Sequence, residues 1–209
     1  MLDRLAIAAL KPALDGLARR LVALGIGADA VTLAGFAIGM AAAAAIGLQQ
    51  FVAGLALLLT SRLCDGLDGA VARLTRPTDR GAFLDIVLDF LFYASIPLAF
   101  AWADPAANAL AAACLLGAFI GTGSSFLAFA VLAERRGLKS SDFPNKGLYY
   151  VGGLTEATET LLCFVLMALW PQHFAVFALV FAALCGLTTI TRIVGGFRAL
   201  PTQAPENTA

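Results

Sequence analysis

The chain contains 209 residues, of which 60% are hydrophobic and only 13% are charged, and its formal net charge is zero. Soluble domains carry about one-quarter charged residues, so this composition excludes an ordinary soluble protein and indicates an integral membrane protein. No stretch has the composition of a separate soluble domain. We expect no nucleic-acid partner.

The first predicted element covers residues 1–27. Charged residues at positions 3, 4, 11, 15, 19 and 20 interrupt it too often for a membrane span. Between them, apolar residues recur at alternating spacings of three and four, which is typical of an amphipathic helix. We therefore predict a helix that lies in the cytoplasmic membrane interface.

Six apolar stretches follow, each long enough to cross a hydrocarbon core of about 30 Å as a helix. They cover residues 30–48, 51–73, 82–103, 107–133, 148–170 and 174–194. The predicted fold class is therefore an all-α integral membrane protein with six transmembrane helices and an N-terminal amphipathic interfacial helix. In this prediction residues 28–198 form the six-helix transmembrane domain, and residues 199–209 form a polar cytoplasmic tail.

The basic residues predict the orientation of these helices. Lys and Arg occur before the first span, around the turn at 74–81, between the fourth and fifth spans, and near the C-terminus. Because positive loop charge favours the cytoplasmic side, we expect both termini and this turn to face the cytoplasm. The basic face either suits anionic headgroups and phosphate-bearing substrates or only sets the topology.

Acidic residues interrupt the second and third spans. Asp65 and Asp68 are three residues apart, Asp85 and Asp89 are four apart, and each pair therefore projects from one face of its helix. At a rise of about 1.5 Å per residue, both pairs lie near the cytoplasmic boundary on either side of a short turn. Ionisable side chains in membrane helices are costly and usually functional. We expect the four carboxylates to meet at one level.

Four carboxylates that converge in a region of low dielectric repel one another unless cations neutralise them. Oxygen ligands favour hard ions, so the set Asp65, Asp68, Asp85 and Asp89 predicts two Mg²⁺ or Mn²⁺ ions per protomer. The lone histidine, His173, belongs to a connection on the opposite side of the membrane. Its position argues against a Ser–His or Cys–His nucleophile.

The acidic segment has the pattern D-x-x-D-G-x-x-A-R over residues 65–73, then seven residues, then G-x-x-x-D-x-x-x-D over residues 81–89. This pattern resembles the complete signature of the CDP-alcohol phosphatidyltransferase family. The runs FLDIVLDFLFYASIP, GTGSSFLAFA and YYVGGLTEATET resemble an uncharacterised bacterial inner-membrane branch of it. The resemblance implies a multi-pass protein of the bacterial inner membrane and a homodimer.

The resemblance also implies an activity. Family members transfer a phosphatidyl group from CDP-diacylglycerol, or a phosphobase from a CDP-alcohol, to a hydroxyl group and release CMP. Asp65, Asp68 and Asp85 would bind the metal ions, and Asp89 would complete the second metal site and act as the general base. The implied nucleotide and donor pocket consists of Thr32, Asp65, Gly69, Ala72, Arg73 and Gly81.

One departure from the family pattern lies just before the first span. Family members often carry Pro-Asn there, whereas this chain has Ala28 and Asp29, with Thr32 following. We expect Asp29 either to cap the helix or to support a nucleotide contact.

The acceptor site is less defined by the sequence. Its candidate residues are Lys146, Tyr150, Glu156, Glu159 and Arg192. An acidic, tyrosine-bearing wall would suit a cationic alcohol such as choline, ethanolamine or serine, whereas the basic residues would suit a phosphorylated alcohol such as glycerol phosphate. Alternatively, the two glutamates are structural and either pair with Arg62, Arg192 or Lys146 or form a polar contact with Ser124 and Ser125 of the fourth span. The sequence leaves these interpretations open.

A different class of protein also places acids inside a membrane. Divalent-cation and proton-coupled transporters use such residues along their ion pathways. A transporter is expected to distribute polar groups toward the outer side and to contain an internal repeat. Here the four aspartates crowd the cytoplasmic third of their helices, and no repeat between the halves is evident. The sequence therefore favours an enzyme.

Overall fold

The computed structural model describes residues 2–135 and 155–200, with side chains from residue 11 onward. Its regular structure in these ranges is helical and contains no strand, which confirms the predicted all-α class. In these ranges the α-helices are α1 (Leu2–Ala23), α2 (Ala28–Gly47), α3 (Phe51–Leu74), α4 (Asp79–Ala103), α5 (Pro105–Arg135), α6 (Ala157–Leu169) and α7 (Phe174–Ala199). A short 3₁₀ turn, Pro171–His173, joins the last two.

Four of the described helices are long and apolar enough to cross a membrane. They are α2, α4, α5 and the continuous segment Pro171–Ala199 that contains α7. Helix α3, with 24 residues, is long enough to cross a membrane. It is not among these four because it carries the charged side chains of the acidic segment. Helix α6 has 13 residues, and the first part of its predicted span lies outside the described residues. Six spans therefore remain a prediction.

The fifth predicted span, residues 148–170, is not one continuous helix. Thr155 and Glu156 are not helical, and α6 begins only at Ala157. The Glu156 side chain accepts from the backbone N–H of Glu159, while the Glu159 carboxylate accepts from the Glu156 N–H at 3.2 Å. This reciprocal capping satisfies backbone donors that a new helix start leaves open. The prediction of an unbroken helix through residue 156 was therefore wrong.

The start of α2 also differs from the prediction for Asp29. The residue at the cap position is Gly27, and no side chain caps this helix. Asp29 is the second residue of α2, where a carboxylate interacts favourably with the positive end of the helix dipole. Its side chain lies 3.9 Å from the Arg80 guanidinium, beside the start of α4. The prediction that Asp29 caps the helix was therefore wrong. Asp29 instead stabilises the first turn of α2 through the helix dipole.

Aromatic residues fill the core of the bundle. Phe92, Phe100, Phe164 and Phe174 are fully buried, and the rings of Phe100 and Phe174 stack with their centroids 4.6 Å apart. Helix α2 packs closely against both α3 and α4, and α5 packs mainly against α7. Close packing of α2–α4 matters because these three helices carry the acidic segment and its neighbours.

Helix α1 covers one face of α3. Ala18 of α1 is fully buried in a small apolar cluster with Leu67, Ala70 and Val71 of α3. The helix is continuous through Pro12. Its amphipathic pattern is thus satisfied in part by protein contacts, and its placement in the membrane interface stays a prediction.

Close packing of α2 on α3 depends on Gly54. A Cβ atom at this position would lie 2.5 Å from Ile46 Cγ1 and 3.3 Å from the carbonyl oxygen of Ala42. We expect Gly54→Ala to lower the free energy of unfolding by about 1–3 kcal/mol, because the two helices must separate slightly. Thermal unfolding of the detergent-solubilised protein measures this. Gly117→Ala is the matched control, since a Cβ there meets nothing within 4 Å; equal unfolding temperatures for both variants would contradict the prediction.

Candidate active site

The four aspartates line one cleft between α2, α3 and α4. The cleft is lined by Thr32, Gly35, Phe36, Ser61, Arg62, Asp65, Asp68, Asp85, Leu88 and Asp89. Helix α3 contributes Asp65 and Asp68, and α4 contributes Asp85 and Asp89. Only four residues separate the two helices. The expectation that the four carboxylates lie together is therefore confirmed. Their roles as metal ligands stay predictions.

Asp68 is the most enclosed of the four carboxylates, with 6% of the residue exposed. The Thr32 hydroxyl of α2 donates a hydrogen bond of 2.6 Å to Asp68 Oδ2 of α3. A charge-assisted bond of this length is short and directional. Helix α2 thus fixes the orientation of a carboxylate that α3 supplies, which places the predicted nucleotide residue Thr32 beside the predicted metal ligand.

Arg62 is the cation that the structure places among the aspartates. Its Nη1 donates to Asp89 Oδ1 at 2.5 Å and lies 3.4 Å from Asp65 Oδ1. The guanidinium carbon sits 3.8 Å from the centroid of the Phe92 ring, so the group is also held by a cation–π contact. One nitrogen therefore contacts carboxylates from both α3 and α4.

Sequence reasoning missed Arg62 as a site residue. The sequence offered Arg62 only as a possible partner of Glu156 or Glu159. That pairing was wrong, because Arg62 contacts Asp65 and Asp89 instead. The signal was present in the spacing. Arg62 precedes Asp65 by three residues, which places both side chains on one face of α3.

The chemistry of the cleft fits a hard divalent cation. Its polar side chains offer carboxylate and hydroxyl oxygens, with no imidazole among the lining residues. A cationic nitrogen already lies between Asp65 and Asp89, so positive charge is accommodated there. Within residues 2–135 and 155–200, however, no three His, Cys, Asp or Glu side chains are arranged to hold a metal ion directly. Arg62 already engages Oδ1 of Asp89, so a metal ion at that oxygen would compete with the guanidinium.

The other predicted donor-binding residues lie near the cleft but not in its lining. Gly69, Ala72 and Arg73 occupy the last turns of α3, and Gly81 lies in the first turn of α4. A Cβ at Gly81 would lie 3.0 Å from the Asp29 carboxylate and 3.1 Å from Thr78 Oγ1. A side chain at this position would thus crowd the junction of α2 and α4. The nucleotide-binding role of these residues stays a prediction.

Of the candidate acceptor residues, Glu156, Glu159 and Arg192 are described, and none of them lines the cleft of the aspartates. Glu156 and Glu159 cap α6, and Arg192 of α7 donates from Nη1 to the Thr122 carbonyl at 3.0 Å. Arg192 also interacts electrostatically with Glu156. This interaction is in keeping with the structural pairing that the sequence left open. Two further candidates, Lys146 and Tyr150, lie outside the described residues.

Comparison with known proteins identifies the family to which this chain belongs. The model of the CDP-alcohol phosphatidyltransferase family matches residues 26–190. The inner membrane protein YnjF of Escherichia coli K12 is 52% identical over 200 residues, covering 96% of this chain and 97% of the relative. An archaetidylinositol phosphate synthase of Methanothermobacter thermautotrophicus is 49% identical, but over only 65 residues, which are 31% of this chain and 33% of that protein.

Solved structures give the same fold. The phosphatidylinositol phosphate synthase PgsA1 of Mycobacterium tuberculosis with CDP-DAG bound aligns with a TM-score of 0.69 at 23% identity, covering 91% of this chain and 98% of the other. Its complex with manganese and citrate aligns equally well, with a TM-score of 0.69. The matched family model spans most of the chain and includes all four aspartates of the cleft. The protein is therefore a member of the CDP-alcohol phosphatidyltransferase family, as its signature predicted, and an enzyme of that class.

Proposed function

We propose that this enzyme is a metal-dependent phosphatidyltransferase of phospholipid synthesis, which transfers the phosphatidyl group of CDP-diacylglycerol to an alcohol and releases CMP. The observation that carries the proposal is the single cleft lined by Asp65, Asp68, Asp85 and Asp89. Membership in a transferase family disfavours the alternative of an ion transporter. A transporter would also have no need for the complete signature.

The choice of donor is supported by a structural neighbour. The Mycobacterium tuberculosis enzyme, which shares the fold, has CDP-DAG bound. The alternative within the family is transfer of a phosphobase from a CDP-alcohol to a lipid acceptor. Both donors present the same cytidine diphosphate group to the cleft, so the distinction must be made by assay.

In the proposed mechanism Asp65, Asp68 and Asp85, together with Asp89, would hold two divalent ions, Mg²⁺ or Mn²⁺. Such ions neutralise a pyrophosphate and stabilise a departing phosphate, which here is the phosphate of CMP. Manganese bound to the Mycobacterium tuberculosis enzyme supports this choice of ion. Thr32 keeps the Asp68 carboxylate in one orientation through its hydrogen bond.

The acceptor hydroxyl attacks the phosphorus of the phosphatidyl group, and the bond from this phosphorus to the oxygen of CMP breaks. Asp89 accepts the proton of the hydroxyl, which it must reach within hydrogen-bond distance. Arg73, at the end of α3, offers a planar fork of donors to the phosphates. No covalent intermediate on the protein is needed.

The acceptor alcohol is the open part of the proposal. Two relatives are inositol phosphate lipid synthases by name, which adds a phosphorylated polyol to the candidate acceptors. Choline, ethanolamine, serine and glycerol phosphate remain candidates from the charges around Glu156 and Arg192. We place the enzyme in the bacterial inner membrane as a homodimer, with the termini and the cleft toward the cytoplasm; a relative that is an inner membrane protein supports the location.

The test is CMP release by the full-length protein in lipid vesicles. Vesicles with CDP-diacylglycerol, or with a CDP-alcohol and diacylglycerol, are supplied with each acceptor, and the lipid product is identified by mass spectrometry. We expect release only with one acceptor class and only with divalent metal, because the pyrophosphate charge must be neutralised. Excess chelator should reduce the rate to background, and added Mg²⁺ or Mn²⁺ should restore it. Equal turnover in chelator would eliminate the metal mechanism, and no release from either donor would overturn the proposed activity.

A further inference from the structure

Arg62 is a nearly enclosed cation in the middle of a site proposed to bind other cations. Its side chain is 11% exposed, whereas its partners Asp65 and Asp89 are 38% and 33% exposed. In the described ranges its Nε is buried without a hydrogen-bond partner. A buried guanidinium with an unpaired donor is costly, so the two carboxylates must offset that cost.

The surroundings of Arg62 form a seat for its guanidinium. The Phe92 ring lies beneath it at 3.8 Å, and Ser61 Oγ lies 3.4 Å from Nη2. Gly39 of α2 leaves room for this arrangement, because a Cβ there would be 2.6 Å from the Phe92 ring and 2.9 Å from Ser61 Oγ. Phe92 itself is fully buried in the core. The position of the cation is therefore built into the packing of α2, α3 and α4.

The contact with Asp89 opposes metal binding. An oxygen that accepts a 2.5 Å bond from a cation has a lone pair engaged, and the same carboxylate is a predicted metal ligand. The absence of a ready metal-holding group among the described residues agrees with this engagement. A divalent ion that binds Asp89 through Oδ1 therefore competes with the guanidinium for that oxygen.

We propose that Arg62 is a positioning residue that serves as the internal cation of the metal-free enzyme and competes with the divalent ion for Asp89. Before metal binds, Arg62 neutralises Asp65 and Asp89 and keeps the cleft from opening by charge repulsion. When metal binds, Arg62 gives up Asp89 and stays against Phe92. This proposal rests on the metal site of the proposed function, and it makes Arg62 the residue that sets the metal concentration the enzyme requires.

The experiment compares wild type, Arg62→Gln, Arg62→Lys and Arg80→Gln in detergent, without substrate. Binding of Mn²⁺ is followed by the electron paramagnetic resonance signal of the free ion, and unfolding temperature is measured in chelator and in saturating Mn²⁺. Arg80→Gln is the matched control, since it removes one positive charge from a side chain that is 89% exposed and does not line the cleft. It should leave both readouts unchanged.

We expect Arg62→Gln to bind Mn²⁺ about tenfold more tightly, because a competing charge contact is lost. Its unfolding temperature should fall in chelator and return to that of wild type in saturating Mn²⁺. Arg62→Lys, which keeps the charge without the planar fork, should lie between the two. Together these results would support competition between the guanidinium and the metal.

Equal or weaker Mn²⁺ binding by Arg62→Gln would overturn the proposal. So would an unfolding temperature lowered by the same amount with and without metal, which marks a purely structural role. If Arg62→Gln does not fold, an Mn²⁺ affinity of Arg62→Lys equal to that of wild type would also overturn the proposal. A wild type that binds no Mn²⁺ would instead contradict the metal site of the proposed function, whatever the variants do.

Discussion

Asp68→Asn is expected to abolish CMP release while leaving the protein folded. The substitution removes a charged ligand from the proposed metal site, a loss of several kcal/mol of transition-state stabilisation, which corresponds to about a thousandfold in rate. The side chain is buried, and its Thr32 partner can donate equally well to an amide oxygen. Steady-state CMP release in vesicles, with Mg²⁺ or Mn²⁺ and the acceptor identified by the screen, measures the effect.

Unfolding temperature in chelator separates a catalytic loss from a folding defect. Removal of one negative charge from a crowd of four carboxylates should leave the temperature of Asp68→Asn equal to, or above, that of wild type. Asp79→Asn is the matched control, because Asp79 is exposed in the first turn of α4 and does not line the cleft. Retention of even one-tenth of the wild-type rate by Asp68→Asn would contradict its role as a metal ligand.

Asp89→Asn is expected to lower the turnover number by about 10²–10⁴-fold, the range associated with loss of a general base. An amide cannot accept the proton of the acceptor hydroxyl at neutral pH. Because the donor contacts proposed at the ends of α3 and α4 are retained, KM for the nucleotide donor should change much less than the turnover number. Initial rates over a range of donor concentrations in vesicles measure both parameters.

The stability of Asp89→Asn should differ from that of Asp68→Asn. Asp89 is the closest carboxylate partner of Arg62, so its replacement by an amide leaves a buried guanidinium with less compensating charge. We expect its unfolding temperature in chelator to fall below that of wild type. Ser95→Ala is the control on the same helix, since the Ser95 hydroxyl bonds only to the Phe92 carbonyl in the part of the chain described here. Full turnover in Asp89→Asn would contradict the general-base assignment.

These two variants also bear on the internal cation. If Arg62 competes with metal for Asp89, then charge loss at Asp89 frees the guanidinium, whereas charge loss at Asp68 does not, because Asp68 is held by Thr32. The two aspartates thus play unequal parts in a cleft that looks symmetrical in the sequence pattern. Helix α4 supplies the carboxylate engaged by the protein's own cation, and helix α3 supplies the one fixed by a neutral hydroxyl.

The helices, the faces of the two aspartate pairs and the family could be predicted from the sequence, because each depends on residues that are close together in the chain. Apolar stretches of sufficient length predict helices in a membrane, and helical periodicity puts Asp65 with Asp68 and Asp85 with Asp89 on single faces. A short turn between α3 and α4 then brings the two pairs to the same end of the bundle, and α2, which packs against both helices, completes the cleft where the four carboxylates meet. The fixed spacing of the signature was also enough to identify the family, which the match to residues 26–190 confirms.

Only the tertiary structure decided which groups the carboxylates contact. Thr32 and Asp68 are 36 residues apart in the chain, and Arg62 and Asp89 are 27 residues apart. Helical periodicity predicts which face of a helix a side chain occupies, but it does not predict which residue of a neighbouring helix that face meets. The same limit explains Asp29, whose neighbour is the start of α4, and Glu156, which begins a helix where hydropathy alone predicts an unbroken span. The hydrophobic pattern determines which faces of the helices are buried. Polar contacts depend instead on how α2, α3 and α4 pack together. The site of the Arg62 guanidinium, between Gly39, Phe92 and the aspartates, forms only when these three helices have packed.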